Sequence, residues 1–256
     1  MVLRLFAALG FVVLSCGANT SAQAEQKSGN SVSLPQETEH SWICYGENAN
    51  ERNDRTAITT SRFRLLYPTE YERTCDIANC LAELDLAYAQ ISKQLGPFVH
   101  SFDVILAESI SPKERVCTNG RIVAICVDNG ETTIVVRRDR IRRSVLTHEF
   151  THAWFNQQKK EPVSWLEEGI AEYVETLSED GYSEFHMKRL RKTGLLCASK
   201  FGQTARCSDE SKMARSTAWW LVYFLAERKG VALSEIDGRL ARAHYEEAAR
   251  EFHSLR

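Results

Sequence analysis

The chain has 256 residues, 43% hydrophobic and 26% charged, which is ample material for a packed core. Its formal net charge of −2 supplies no overall basic field, and this sets nucleic acid aside as a partner. After the first residues, no stretch approaches the roughly 18 consecutive apolar residues of a membrane helix, so no transmembrane segment is expected.

Residues 1–24 have the form of a secretory signal peptide. Arg4 gives a positive start, Leu5 to Cys16 is a nearly unbroken apolar run, and Ala22-Gln23-Ala24 is a small-x-small cleavage site. The expected destination is the bacterial periplasm or the exterior. A minority reading takes Val13-Leu14-Ser15-Cys16 as a lipoprotein box with a lipid anchor at Cys16, although Leu14 fits that box poorly. Residues 25–60 then form a polar arm or linker, beginning EQKSGNSVSLPQETEH, with little to bury.

A single domain is expected over 61–256. RFRLLYP has strand composition, and residues 76–95 repeat apolar positions at helical spacing until Gly96-Pro97 stops them. SFDVILAES is the next strand. A hairpin turn follows at Asn119-Gly120, and β-branched ETTIVVRRD is another strand. Helices are expected at 140–158, 165–178, 213–229 and 231–252, the last two divided by Gly230, while 179–212 has no regular pattern. Strands first and helices after define an α+β fold, a small mixed or antiparallel sheet lobe followed by a helical lobe. Trp154, Phe155, Trp165, Trp219, Trp220 and Phe224 fall at helical spacings and are assigned to the core.

Cleavage after Ala24 leaves seven of the eight cysteines. In an oxidising compartment the expected bridges are Cys117 with Cys126 and Cys197 with Cys207. Cys75 pairs with Cys80, or one of them takes Cys44, and the odd count leaves one thiol free or shared between chains. Five arginines crowd VVRRDRIRRS, 135–144. A solvated charge cluster is the default, yet cations near a helix N-terminus oppose its dipole, so Arg137 or Arg138 is also considered for a carboxylate of substrate or of a nearby loop.

The chemistry is concentrated in LTHEFTHAWF, 146–155. Residues four apart on a helix lie about 40° apart around the axis and about 6 Å along it. His148 and His152 therefore project from one face and can converge on one ion. Glu149 sits one step round, where a carboxylate can take a proton from a metal-bound water. A catalytic zinc wants a third protein ligand and an open position. After Pro162 comes WLEEGIAEY, which offers Glu168 as that ligand. Glu172, one turn on, is in position to accept the other ring N–H of a ligand histidine and fix its tautomer, while Glu167 points elsewhere. Gly169 leaves room for these two helices, the one bearing the histidines and the one bearing Glu168, to approach closely.

HEFTH followed by WLEEGIAEYVE resembles the gluzincin zinc metallopeptidases, the thermolysin-like and aminopeptidase-like fold, and above all the compact bacterial peptidase MA-like proteins. The likeness is tight over 145–175 and looser over 61–256. It implies a thermolysin-like catalytic domain with its zinc site on two adjacent helices. One Zn2+ per chain would be held by His148, His152 and Glu168, with Glu149 as general base and Glu172 in support. Fifteen residues separate His152 from Glu168, fewer than in the best-known relatives. Many relatives also carry an oxyanion-stabilising tyrosine at the start of the helix matching 213–229. Here that region is KMARSTAWWLVYF, with Arg215 near the expected place, and Arg215, Tyr182, His186 and Tyr223 are the candidates for contacting oxyanion or substrate.

The expected function is a secreted zinc-dependent peptidase acting on a peptide or protein substrate. An endopeptidase is favoured, because no G-x-M-E-N-type stretch for binding a free amine is present. The alternative is a catalytically inactive, zinc-containing secreted scaffold or binding protein. A third possibility is a latent or self-cleaving peptidase whose 25–40 arm occupies the cleft.

Overall fold

The computed structural model describes residues 42–45, 55–112, 124–128, 132–158, 164–178, 182–201 and 209–255. The signal peptide, Cys16, most of the arm, the Asn119-Gly120 turn, Cys117 and Cys207 lie outside the described residues, as do the side chains of Cys44 and Cys126.

Seven strands and seven α-helices are named here in chain order. The strands are β1 Trp42–Tyr45, β2 Arg55–Thr59, β3 Phe63–Pro68, β4 Phe102–Ala107, β5 Ser109–Pro112, β6 Ala124–Asp128 and β7 Thr132–Arg137. The helices are α1 Tyr71–Thr74, α2 Ile77–Leu95, α3 Arg143–Gln157, α4 Ser164–Thr176, α5 Tyr182–Thr193, α6 Asp209–Tyr223 and α7 Gly238–Ser254. The fold is α+β. A five-stranded mixed sheet runs in the order β2-β3-β4-β7-β6, and β1 pairs separately with β5. The inner pairs β3–β4 and β4–β7 are parallel, whereas β2 and β6 lie antiparallel at the two edges.

The elements follow from their residues. In β3 the side chains of Phe63, Leu65 and Tyr67 are buried alternately, the period of two that one covered sheet face requires. Asp76 caps α2 by accepting from the Asn79 N–H at 3.0 Å. Gly96, at φ 105°, ends that helix in a backbone conformation that a side chain would strain. Phe98, Phe102 and Phe150 meet behind the sheet, with Phe102 edge-on to Phe150 at 5.0 Å between centroids, each such ring pair adding about 1 kcal/mol beyond area burial. The six aromatics assigned to the core are all buried.

Three departures from the expected elements have physical causes. β1 and β2 occupy part of the stretch expected to be an arm, so the ordered strands start earlier than residue 61. α5 fills part of the stretch with no regular pattern. Cys75, Cys80 and Cys197 are free thiols, so the expected Cys75–Cys80 and Cys197–Cys207 bridges are not formed. Cys80 is buried within α2, and burial is the largest influence pushing its thiol up to about 11, the behaviour of a small packed hydrophobe. Most of the arginine run is paired locally: Arg137 and Arg140 share Asp139, Arg138 meets Glu108 and Arg143 meets Glu83. Arg138 thus meets a nearby carboxylate of its own chain. Among the described residues, no helix is long and apolar enough to cross a membrane.

Candidate metal centre

α3 is buried around most of its circumference, with Leu146, Phe150, Ala153 and Trp154 in the core. Its half-buried positions include Val145, His148, Glu149, His152 and Asn156. Those spacings trace one stripe along the helix, so the two imidazoles and Glu149 share a face that α3 can offer a cleft. The end of α3 is tied down by the Trp154 indole, which donates to Gly96 O at 3.0 Å, and by Gln157 Oε1, which accepts from the backbone of Val99 and His100.

α4 runs back along α3. Thr147 and Ser178 hydroxyls meet at 3.0 Å at one end, and Glu167 meets His152 at the other, an antiparallel register. Glu168 then faces both histidines: its Oε2 is 3.9 Å from His148 Nε2 and its Oε1 is 3.9 Å from His152 Nε2. One ligand atom from each of His148, His152 and Glu168 lies within 4.8 Å of the others, so the three can hold a metal ion. Around a zinc with bonds of about 2.0–2.1 Å, tetrahedral donors sit about 3.4 Å apart, so a small side-chain adjustment closes the set.

Two observations fit a cation. Glu168 Oε2 is buried and accepts no hydrogen bond; the Arg215 guanidinium stands 3.4 Å away, an ion pair that leaves the oxygen's lone pairs open to a metal. The local charge also demands one. Burial would lower the His148 pKa, but the Glu175 hydrogen bond and the charges of Glu149, Glu168 and Glu172 raise it to about 10. Carboxylates thus outnumber the cationic groups around the two imidazoles, a setting that favours a bound cation. Glu149 is also shifted upward, by burial first and by Glu168 and Glu175 next, against the two histidines. Its carboxyl thus shares the electrostatic field of both histidines, Glu168 and Glu175.

The Nδ1 atoms are held by two carboxylates that the spacing had not singled out. His148 Nδ1 meets Glu175 at 3.0 Å and His152 Nδ1 meets Glu167 at 2.6 Å. Each carboxylate fixes Nδ1 as the protonated nitrogen and leaves Nε2 for a metal. Glu167, expected to point elsewhere, thus turns into the site, and Glu175 takes the part given to Glu172. Glu172 instead faces α5 and α6. It lies 3.1 Å from His186 Nε2 and 3.8 Å from an Arg215 nitrogen. Its carboxylate is held below the ordinary range: burial opposes this, but the adjoining His186 imidazole and the charges of His148 and Arg215 prevail.

Of the remaining candidates, Arg215 reaches the centre, 3.4 Å from Glu168 Oε2. His186 is 1% exposed, stacked on Trp219 at 4.9 Å, with Nδ1 3.2 Å from Ser216 Oγ. Tyr223 stacks on Trp219 and Trp220. It lines an open groove of about 270 Å³ between α5, α6 and the C-terminus rather than the metal centre. Tyr182 opens α5, and its side chain falls outside the described residues.

Residues 127–253 match the family model described as "BSP: Peptidase of plants and bacteria". That span includes α3, α4, α5 and α6, and with them every residue of the cluster. The match supports a peptidase family for this chain. No curated protein matches it.

Proposed function

We propose that the protein is an exported zinc-dependent peptidase of the gluzincin type, with His148, His152 and Glu168 as metal ligands. The observation that carries this reading is the convergence of those three side chains beside a buried Glu168 oxygen that accepts no hydrogen bond. An imidazole and carboxylate donor set suits zinc. When bound, such a cation polarises a carbonyl and lowers the pKa of a water.

The chain's own residues then do the rest. Glu149 takes a proton from the attacking water as the water oxygen bonds to the scissile carbonyl carbon and the carbonyl π pair moves onto its oxygen. As the C–N bond breaks, Glu149 passes that proton to the departing nitrogen. Glu167 and Glu175 keep the imidazoles in one tautomer throughout. An endopeptidase is the preferred type.

The test pairs two substitutions. Glu149→Gln should keep metal in stoichiometric amount, by elemental analysis of protein purified without added zinc, while peptide hydrolysis falls by about 10²–10⁴-fold. His148→Ala should lose the metal itself. Full hydrolysis by the Gln variant would remove the general-base role. Metal retained by the Ala variant would remove the ligand set. A zinc-containing scaffold predicts no hydrolysis by the unaltered protein, and unfolding on chelation.

A further inference from the structure

The tetrahedral species formed by water addition carries a negative oxygen, and among the residues so far assigned to the centre only Glu149 has a proton at that stage, one committed to the departing nitrogen. Glu167, Glu168 and Glu175 are acceptors, and both histidine Nδ1 atoms are taken by carboxylates. We propose that Arg215 is the oxyanion donor, and that a buried Glu172–His186–Ser216 chain is the positioning device that holds its guanidinium at the cleft. This rests on the peptidase reading and adds a catalytic residue to it.

Three features place Arg215. First, α6 lies hard against α4: a Cβ added at Gly169 would be 2.7 Å from Ala218 Cβ and 2.9 Å from its carbonyl carbon. Ala218 is three residues after Arg215, on the same helical face. The contact that glycine permits therefore sets Arg215 against Glu168 and Glu172. Second, Ala214, Ser216, Thr217 and Ala218 are all buried, which fixes the backbone on both sides, yet the Arg215 side chain keeps 52% exposure. Third, its guanidinium nitrogens approach Glu168 at 3.4 Å and Glu172 at 3.8 Å. A guanidinium presents five N–H donors in a fixed fork, so two carboxylate approaches leave donors for a substrate oxygen next to the Glu168 carboxylate.

Glu172 can hold Arg215 because Glu172 is itself held. Its side chain is 9% exposed and lies 3.1 Å from His186 Nε2. His186 is in turn 3.2 Å from Ser216 Oγ and flat against Trp219, with 12° between the rings. This ties α4, α5 and α6 together behind the guanidinium. The same burial removes His186 from direct contact with substrate, and Tyr223 faces the α5–α6 groove, so neither supplies the oxyanion contact.

The test uses the full chain loaded with zinc and a peptide phosphinate, whose charged tetrahedral group imitates the species to be held. Arg215→Ala should bind the phosphinate about 10²-fold more weakly and lose a similar factor in kcat, with KM little changed. Chelator competition should find zinc held as tightly as before, or tighter, because a neighbouring cation has gone. Arg215→Lys should recover part of the phosphinate affinity, and His186→Gln should cause a smaller loss in kcat with Arg215 in place. Unchanged phosphinate affinity in Arg215→Ala would overturn the proposal and leave the metal reading standing. Weaker zinc binding in that variant would also overturn it, since Arg215 would then only orient Glu168. If the unaltered protein binds neither zinc nor phosphinate, the metal reading falls and takes this role with it.

Discussion

Glu167 and Glu175 each take the Nδ1 of one metal-facing histidine, at 2.6 and 3.0 Å. A carboxylate in that position raises ligand basicity and fixes ring orientation, and its loss typically costs about 10–100-fold in metal affinity. Glu167→Gln and Glu175→Gln should each weaken zinc binding by that factor in chelator competition while leaving thermal stability of the metal-free protein near its starting value. Unchanged affinity in both would mean the contacts are incidental. The two carboxylates show where sequence reading stops. The convergence of His148, His152 and Glu168 is legible because the two histidines share one helical face and the next helix carries the carboxylate at a motif spacing. Which carboxylate meets which Nδ1 depends on the register of α4 against α3. In the antiparallel register, residues late in α4 meet residues early in α3, so Glu175 reaches His148 and Glu167 reaches His152. Moving one turn back along α3 from His152 to His148 moves about two turns on along α4, from Glu167 to Glu175, a pattern that could have flagged both carboxylates once a tight hairpin was assumed.

Among the elements, the α4–α6 contact at Gly169 has the least tolerance. Gly169→Ala puts a methyl 2.7 Å from Ala218 Cβ and 2.9 Å from a backbone carbon, and neither atom can rotate away. The helices must separate, at a cost of about 1–3 kcal/mol for an overpacked core site. Because Glu168 precedes the glycine and Arg215 lies opposite, the same shift should weaken zinc binding. Thermal unfolding and chelator competition on this variant check both effects, and Gly169→Ala with Ala218→Gly should recover part of each. An unaltered melting temperature would show that the helices have slack. Gly169 was expected to bring α4 close to α3, but the tight contact it permits is with α6, at Ala218, a residue that is ordinary in a helix and gives no sequence signal. α5 was illegible for a related reason. Its sequence is rich in charge, and its clearly buried positions are His186 and Leu190, one turn apart. Two positions make too narrow a stripe to stand out as a helical period. β2 was missed because an edge strand, half-buried or exposed throughout, lacks a clean alternation.

For the molecule as a whole, the strand order 2-3-4-7-6 joins β4 to β7 across a long span of chain, a pairing no local pattern announces. The helical lobe has a comparable long-range joint in Glu172, whose contacts with His186 and Arg215 link three helices. That joint makes global stability depend on one carboxyl group. The folded Glu172 pKa lies below its ordinary value of 4.5. A depressed acid contributes stability that is fully present above the unfolded value and is lost as pH falls through the folded one. Glu172→Gln removes the charge while keeping the shape, so near neutral pH it should destabilise by about 2 kcal/mol, the scale of a buried charged hydrogen bond. The gap between the unaltered protein and the variant should then narrow as pH drops below about 4.5, because acid neutralises in one what substitution has removed from the other. Urea unfolding at a series of pH values reads the gap directly. Two stability curves that run parallel down their acid limbs would mean that Glu172 is not what fastens α4 to α5 and α6, and the support it gives Arg215 would have to come from packing alone.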